Sequence, residues 1–438
     1  MSGGHPAAAA LRVAVVGGGI AGSALALLLA RRGARVVLFD DGRRRELVVG
    51  ESLVPAAVPL LRRLGAEADA AALGVRKPGV SFVWSGADRA SFTFARFAPA
   101  VPAYAYNVPR PAFDEALLAR ALAAGVVPVR AAARLEPAAA GAGGPELRLA
   151  PESLAAAPAL DGRQPDLIVD ASGRARRAAR ALGIGARVGP RRDVAHFAHF
   201  AGCRWDDEPG QVVIGRAAAG WTWCIPLRER LSIGIVVGQE DARRLGRAPA
   251  DRLAAAIARD ARLSAIAGDA RRVTGVATYA NYQLVSTRGH GAGWVMVGDA
   301  FGFVDPMLSP GVFLALHSAA LAARALDPVL TGRAPALPRA VERALAPYAR
   351  TMAGTLRAWA DLVEYLYDGR LMALVRAGRG WLGARPGPVK RRAQHHIERH
   401  VALQASGVAT TSRYSRGLLR FLGRHGVRDV DPGDLAIR

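Results

Sequence analysis

The chain has 438 residues, half of them apolar, enough for one large domain or two coupled domains around a sizeable core. Two cysteines, Cys203 and Cys224, give neither a disulfide framework nor metal-ligand spacing, so no metal is expected. The net charge of +23 raises nucleic-acid binding as a class, but the 59 basic residues are scattered, and only Lys77 and Lys390 among them are lysine. Arginine used this way belongs to ordinary solvated faces, so no nucleic acid is expected, while an anionic substrate or an acidic carrier protein suits the charge equally well. No apolar run is long enough to span a membrane. The opening MSGGHPAAAALR lacks the basic start and apolar stretch of a secretory leader. A cytoplasmic protein with no membrane partner is expected.

In chain order, RVAVV (12–16) is a short apolar, β-branched run of the kind that forms a buried parallel strand. GGGIAG follows, then SALALLLARRG at helical period, then ARVVLFD as a second strand, which makes a βαβ unit. Gly17-x-Gly19-x-x-Gly22 lies at the strand-to-helix turn. Gly17 allows the turn, Gly19 lets a pyrophosphate approach the backbone, and Gly22 lets the helix pack closely. Ile20 and Ala21 open the helix, where free N–H groups and the dipole favour phosphate. Asp40 ends the second strand, placed to accept from ribose hydroxyls. These features indicate a dinucleotide and leave FAD and NAD open.

Residues 137–165, rich in Ala, Pro and Gly, read as turns around a weak hairpin, and PDLIVDASG (165–173) as another buried strand ending in a Gly turn. QVVIGR and LSIGIVV, joined through GWTWCIPL (211–237), predict antiparallel sheet. GWVMVGDA (293–300) is again a buried strand, 311–327 has helical period, and from about 335 the pattern is helical with a Gly- and Arg-rich stretch near 377–388. In AHFAHF, His196 and His199 read as core or substrate-wall residues sharing one face of a strand; His395, His396 and His400 read as a solvated helix face.

Gly298-Asp299-Ala300 after a strand, a helix starting near Gly311, the Asp170–Arg174 turn and NVPRPAFDEALLARA (107–121) together resemble the class A flavin monooxygenases and flavin-dependent halogenases. The resemblance runs from about residue 11 to 330. It implies an α/β (α+β) fold: a discontinuous Rossmann-like FAD-binding domain (11–75, 104–190 and 285–330), an inserted antiparallel-sheet substrate domain (76–103 and 191–284), and a C-terminal helical region (335–438). It implies FAD as cofactor, with Asp299 on the ribityl chain and Arg110 reaching the flavin.

Four features are similar to the halogenase branch. Trp221-x-Trp223-x-Ile225-Pro226 matches its WxWxIP signature, and the paired indoles would bar an organic substrate from the flavin while admitting chloride. Phe303-x-x-Pro306-x-x-Ser309-x-Gly311 matches its halide-site pattern, although Pro310 stands where the halogenases carry Thr and supplies no N–H, which leaves Gly311 as donor. Gly50-Glu51-Ser52-Leu53-Val54-Pro55 matches the segment that straps over the flavin, with Glu51 expected to open a helix and favour its N-terminus and Ser52 to touch the cofactor. Lys77, in a K-x-G-x-x-F-x-W context, falls where the family carries its catalytic lysine. In a chain that uses Arg almost everywhere, a Lys marks a need for a primary amine, since guanidinium is planar and non-nucleophilic.

The resemblance thus implies FADH2, supplied by an NADH-dependent flavin reductase, O2, and chloride or bromide. These would give hypohalous acid, relayed through Lys77 with Glu51 as a second catalytic residue, to a phenol or pyrrole, free or tethered to an acyl or peptidyl carrier protein. The alternatives are an aromatic hydroxylase of the same fold, a flavin-dependent double-bond reductase, and a non-catalytic flavoprotein.

Overall fold

The computed structural model describes residues 10–437 except 86–87, 140, 142, 281–282, 383–386 and 427–429. The N-terminal residues 1–9 and the centre of the Gly- and Arg-rich stretch therefore lie outside the described residues. The elements that position the site are, in chain order, β1 (Arg12–Val16), α1 (Ile20–Ala30), β2 (Arg35–Phe39), β3 (Val75–Lys77), β4 (Gly79–Ser85), β5 (Asp88–Thr93), α2 (Arg110–Ala123), β6 (Val127–Val129), β7 (Leu167–Asp170), β8 (Asp193–Ala201), β9 (Val212–Arg216), β10 (Trp221–Leu227), β11 (Arg230–Gly238), β12 (Trp294–Met296), α3 (Gly311–Ala325), α4 (Pro338–Tyr367), α5 (Arg370–Leu382) and α6 (Pro388–Ala405).

The first sheet runs β12-β7-β1-β2-β6, all parallel, with the antiparallel pair at 290–291 on the β12 edge. Its strands are buried nearly end to end because helices cover both faces, which is why RVAVV and LIVD read as apolar runs rather than alternations. In register, Val16 lies beside Phe39 and Asp170, so the loops after these strands emerge together at one edge of the sheet, where α1 begins. Open parallel sheets bind their ligands at this carboxyl edge.

The second sheet runs 271–272, β8, β11, β10, β9, β4, β5, with 277–280 also pairing β8; only β9–β4 is parallel. Its strands alternate faces. Trp221, Trp223 and Ile225 of β10, with Val212 and Ile214 of β9, face the first sheet. Val213, Cys224, Ile233 and Ile235 face a separate apolar core that also takes in Leu253 and Leu263, from the helices at Pro249–Arg259 and Ala261–Ala267. Helices α4 to α6 return from beyond the sheets and close one side of the site. Among the described residues no helix is long and apolar enough to cross a membrane.

His196 and His199 do not share a face. Three residues apart on one strand, they must point oppositely. His199 reaches Glu51 on the cavity side, whereas His196 bonds Thr278 Oγ1 at 2.9 Å and neighbours Arg252, and burial with that guanidinium pushes its pKa down to about 4.

Candidate active site: two chambers sharing one wall

A cavity of about 260 Å³ opens at the carboxyl edge of the parallel sheet, between it and β9–β10. Gly19, Ile20 and Ala21 line it from the start of α1, Asp299 and Gly311 from the β12–α3 connection, and Arg110 from α2. The glycines separate into two kinds. Gly17 has φ +112° and Gly22 lies so close that a Cβ there would overlap Gly17 O; both serve the turn itself. A Cβ at Gly19 would meet nothing within 4 Å, and the same holds at Gly173 and Gly311. Open space beside three cavity-lining glycines is a cradle for a ligand. Asp299 has no hydrogen-bond partner among the described residues; burial pushes its carboxyl up, opposed by Arg174 and Arg110. A lone carboxylate lining the same cavity as the first turn of α1 suits the ribityl and pyrophosphate groups of FAD. Gly19→Val keeps an allowed backbone (φ −76°, ψ −174°) and is expected to leave the Tm of the apoprotein unchanged while abolishing retained flavin. Gly22→Ala should instead cost about 1–3 kcal/mol of stability. Flavin absorbance after gel filtration and thermal unfolding distinguish the two outcomes.

Asp40 sits apart from this cavity. Its Oδ1 accepts from Gly42 N at 3.0 Å and Arg44 Nη1 at 2.9 Å, Arg44 also holds Oδ2, and the guanidinium keeps its carboxyl below the usual range. Arg110 works through the strap over the cavity: Nη1 donates to Val49 O at 2.7 Å while Asp114 fixes the rest of the guanidinium. Gly50, with φ +96°, turns the strap there. Glu51 does not open a helix. The chain stays extended through Pro55, and the next helix starts at Ala57. Instead Glu51, only 2% exposed, lines the cavity and accepts at Oε1 from His199 Nε2, 2.7 Å away. Ser52, unlike Glu51, does not line the flavin cavity: its Oγ accepts from Lys77 Nζ at 2.8 Å.

The far wall is aromatic. Trp221 and Trp223 lie 5.7 Å apart between ring centroids, and Trp223 continues the row through Phe197 to Tyr279. Gly234, directly opposite on β11, leaves room for the Trp223 indole, which a Cβ there would strike. Trp221 Nε1 donates to Tyr367 OH at 2.9 Å, and Tyr367 OH donates to Asp305 Oδ1 at 3.2 Å. Tyr367 closes α4, so the C-terminal helices are tied directly to the cavity wall. Pro226 follows on the same strand but lines neither chamber.

Phe303, Pro306 and Ser309 line the same cavity from the loop before α3. Leu308 (φ 64°) and Ser309 (φ 57°) are both left-handed, each at a cost of roughly 1–2 kcal/mol for a non-glycine residue. This turn brings the start of α3 to the cavity. Pro310 is the residue before its first turn and has no N–H, so Gly311 is the first donor there.

Behind that loop lies a narrower chamber of about 60 Å³. Lys77 ends β3 and points into it, 4% exposed, donating to Ser52 Oγ at 2.8 Å and Leu53 O at 3.1 Å, with Nζ 5.5 Å from the Phe94 ring centroid. Burial pushes its pKa down to about 7. Val212, Ile214 and Ser309 line both chambers, so one strand and one loop form their common partition. Lys390, by contrast, is exposed and donates to Trp381 O. His395 stacks on Phe97, while His396 and His400 pack against Tyr414. Cys203 and Cys224 are free, and no metal-binding cluster occurs among the described residues. Sequence reasoning missed Asp305, Tyr367, the pairing of His199 with Glu51, and the α5–α6 wall of the second chamber.

The FAD binding domain family matches residues 10–346. The chain is 31% identical to tryptophan 2-halogenase of Chondromyces crocatus over 82% of its own length and 68% of that protein's. It is 26% identical to a 1H-pyrrole-2-carbonyl-(peptidyl-carrier protein) chlorinase of Pseudomonas fluorescens, over 71% of this chain and 74% of that one. The solved myxobacterial chondrochloren halogenase superposes with a TM-score of 0.71 at 26% identity, covering 91% of this chain and 99% of that one. The chain belongs to the flavin-dependent halogenases. It is an FAD-dependent oxidoreductase with a Rossmann-like FAD-binding fold, using halide and O2 as co-substrates.

Proposed function

We propose that this halogenase makes hypohalous acid in the first chamber and uses Lys77 in the second to deliver the halogen to a phenol or pyrrole. The reading rests on one observation: the chain's single buried lysine lines an aromatic chamber that shares Val212, Ile214 and Ser309 with the flavin cavity. Bound and reduced, FAD supplies O2 activation, so that FADH2, O2, halide and a proton give FAD, water and hypohalous acid. Gly19, Ile20, Ala21, Asp299 and the start of α3 hold the cofactor. Gly17 and Gly22 shape the turn beneath it, and Asp40 braces that turn from behind Gly18. Gly311 N–H, at the start of α3, is the halide donor, and Trp221 and Trp223 keep organic substrate away from the flavin.

A neutral amine has two N–H groups and one lone pair. Lys77 has two acceptors, Ser52 Oγ and Leu53 O, which leaves the lone pair for the chamber. An ammonium would bury a third, unpaired N–H. The free amine attacks the halogen of hypohalous acid, forming an N–X bond and releasing water; the arene then takes the halogen, loses its ring proton and regenerates the amine. FADH2 arrives from a separate NADH-dependent flavin reductase. The name of the Pseudomonas relative and the basic surface both favour a substrate carried on a peptidyl or acyl carrier protein.

The test is incubation with FADH2, O2, bromide and a panel of phenols and pyrroles, read by mass spectrometry. Bromide-dependent brominated product is expected. Hydroxylated product formed without halide would overturn the reading in favour of an aromatic hydroxylase.

A further inference from the structure

We infer that the Lys77 chamber selects uncharged aromatic rings and rejects substrates bearing a carboxylate or an ammonium. The inference rests on the proposed role of that chamber and adds its substrate class. Phenylalanines from β4, β5 and the turn at Phe94–Phe97 form one side, Val212 and Ile214 the second, and Leu371, Met372 and Val375 of α5 with Val401 of α6 the third. Among the described residues its only polar side chains are Lys77, Ser309 and Ser406. Ser406 Oγ already donates within its own helix end, to Leu403 O. Among the described residues no carboxylate lines the chamber, so a substrate ammonium would be desolvated without a counter-ion. A substrate carboxylate would find one cation, Lys77. Pairing there would bring the carboxylate to the amine in place of the ring and would hold the lysine protonated.

Lys77 itself reports the environment. The burial that pushes its ammonium down to about 7 disfavours any other ion held beside it. Tryptophan, the compound in one relative's name, carries both charges as the free amino acid; indole carries neither.

Matched pairs test this with the intact holoenzyme, reduced flavin, O2 and bromide: phenol against tyramine and 4-hydroxybenzoate, indole against L-tryptophan, and pyrrole-2-carboxylate against its neutral N-acetylcysteamine thioester. Added methionine scavenges oxidant that escapes into solution. The neutral member of each pair is expected to react at least about a hundredfold faster in kcat/KM, because an unpaired ion is costly to bury. Reaction of the free neutral rings marks a free substrate; reaction of the thioester alone marks a carrier-borne acyl group, and both carry the inference. Charged members reacting within tenfold of their partners overturn it and leave the halogenase reading standing. Absence of product from every compound removes that reading and the inference together.

Discussion

Lys77→Ala is expected to lower halogenation by about 10²–10⁴-fold, the usual range for losing a positioned acid–base group, while flavin binding and consumption of reduced flavin continue. Lys77 does not line the first chamber, so oxidant is expected still to form there and escape, to be trapped quantitatively by an added thioether. Lys77→Arg should not restore activity, because guanidinium offers no free lone pair near neutral pH. The pH dependence has a definite sign. Burial holds Lys77 near 7, so the free amine predominates above that pH and the ammonium below it. If the lone pair carries the halogen, the rate rises as pH increases through about 7 and then levels off. A rate that falls over the same interval would show that the ammonium form acts, as a hydrogen-bond donor. A Lys77→Ala protein halogenating at the parental rate would remove the relay entirely.

Opening the aromatic wall should have the second largest effect. Trp221→Leu with Trp223→Leu retains apolar bulk, whereas alanine at each site would cost about 3–5 kcal/mol in cavity alone. The double variant is expected to bind flavin but to lose roughly tenfold in halogenated product per flavin oxidised, because the site no longer excludes water and organic molecules. Halide-independent hydroxylation of phenols should appear alongside. Product ratios at fixed flavin consumption measure this; an unchanged ratio would mean that the indoles are packing and not a barrier. Tyr367 holds Trp221 through its hydroxyl, so the same experiment in Tyr367→Phe gives a smaller displacement of the same ratio, with the Trp221 ring retained.

Why part of this site was legible follows from how each residue is specified. The β1–α1–β2 unit could be read because local sequence dictates it: the glycines, the apolar strands and the helix all act within thirty or so neighbouring residues. Lys77 was singled out by its halogenase-like K-x-G-x-x-F-x-W context and by the rarity of lysine, and Trp221 and Trp223 by the WxWxIP signature, whose alternation on one strand gives the indoles a shared face. Glu51 was misread as a helix opener. Nothing local reveals that its partner is His199, which arrives from β8, 148 positions later in the chain. His199 itself was assigned to the face of His196 although an odd separation on a strand forbids that, an error of period and not of missing information. Ser52 and Asp40 were given to the cofactor by position along the chain; in the structure Ser52 Oγ accepts from Lys77, and the Asp40 carboxylate from Gly42 and Arg44, contacts set by side-chain reach. The α5–α6 wall was invisible for a different reason. Apolar residues at helical spacing look alike whether they fill a core or line a chamber, and Leu371 and Val401 carry no chemistry of their own.

Met372 places a thioether on the wall of the Lys77 chamber, which would receive the oxidant under the proposed relay. Thioethers take up electrophilic halogen and hydrolyse to the sulfoxide, turning an apolar wall polar. Turnover without an acceptor ring should therefore wound the enzyme from inside, with one added oxygen on the peptide containing Met372 and a parallel decline in activity. Abundant substrate should protect it, and Met372→Leu should outlast the parent under starvation. A catalyst with that relay would have its working life written into its lining, staying intact only while it has something to halogenate.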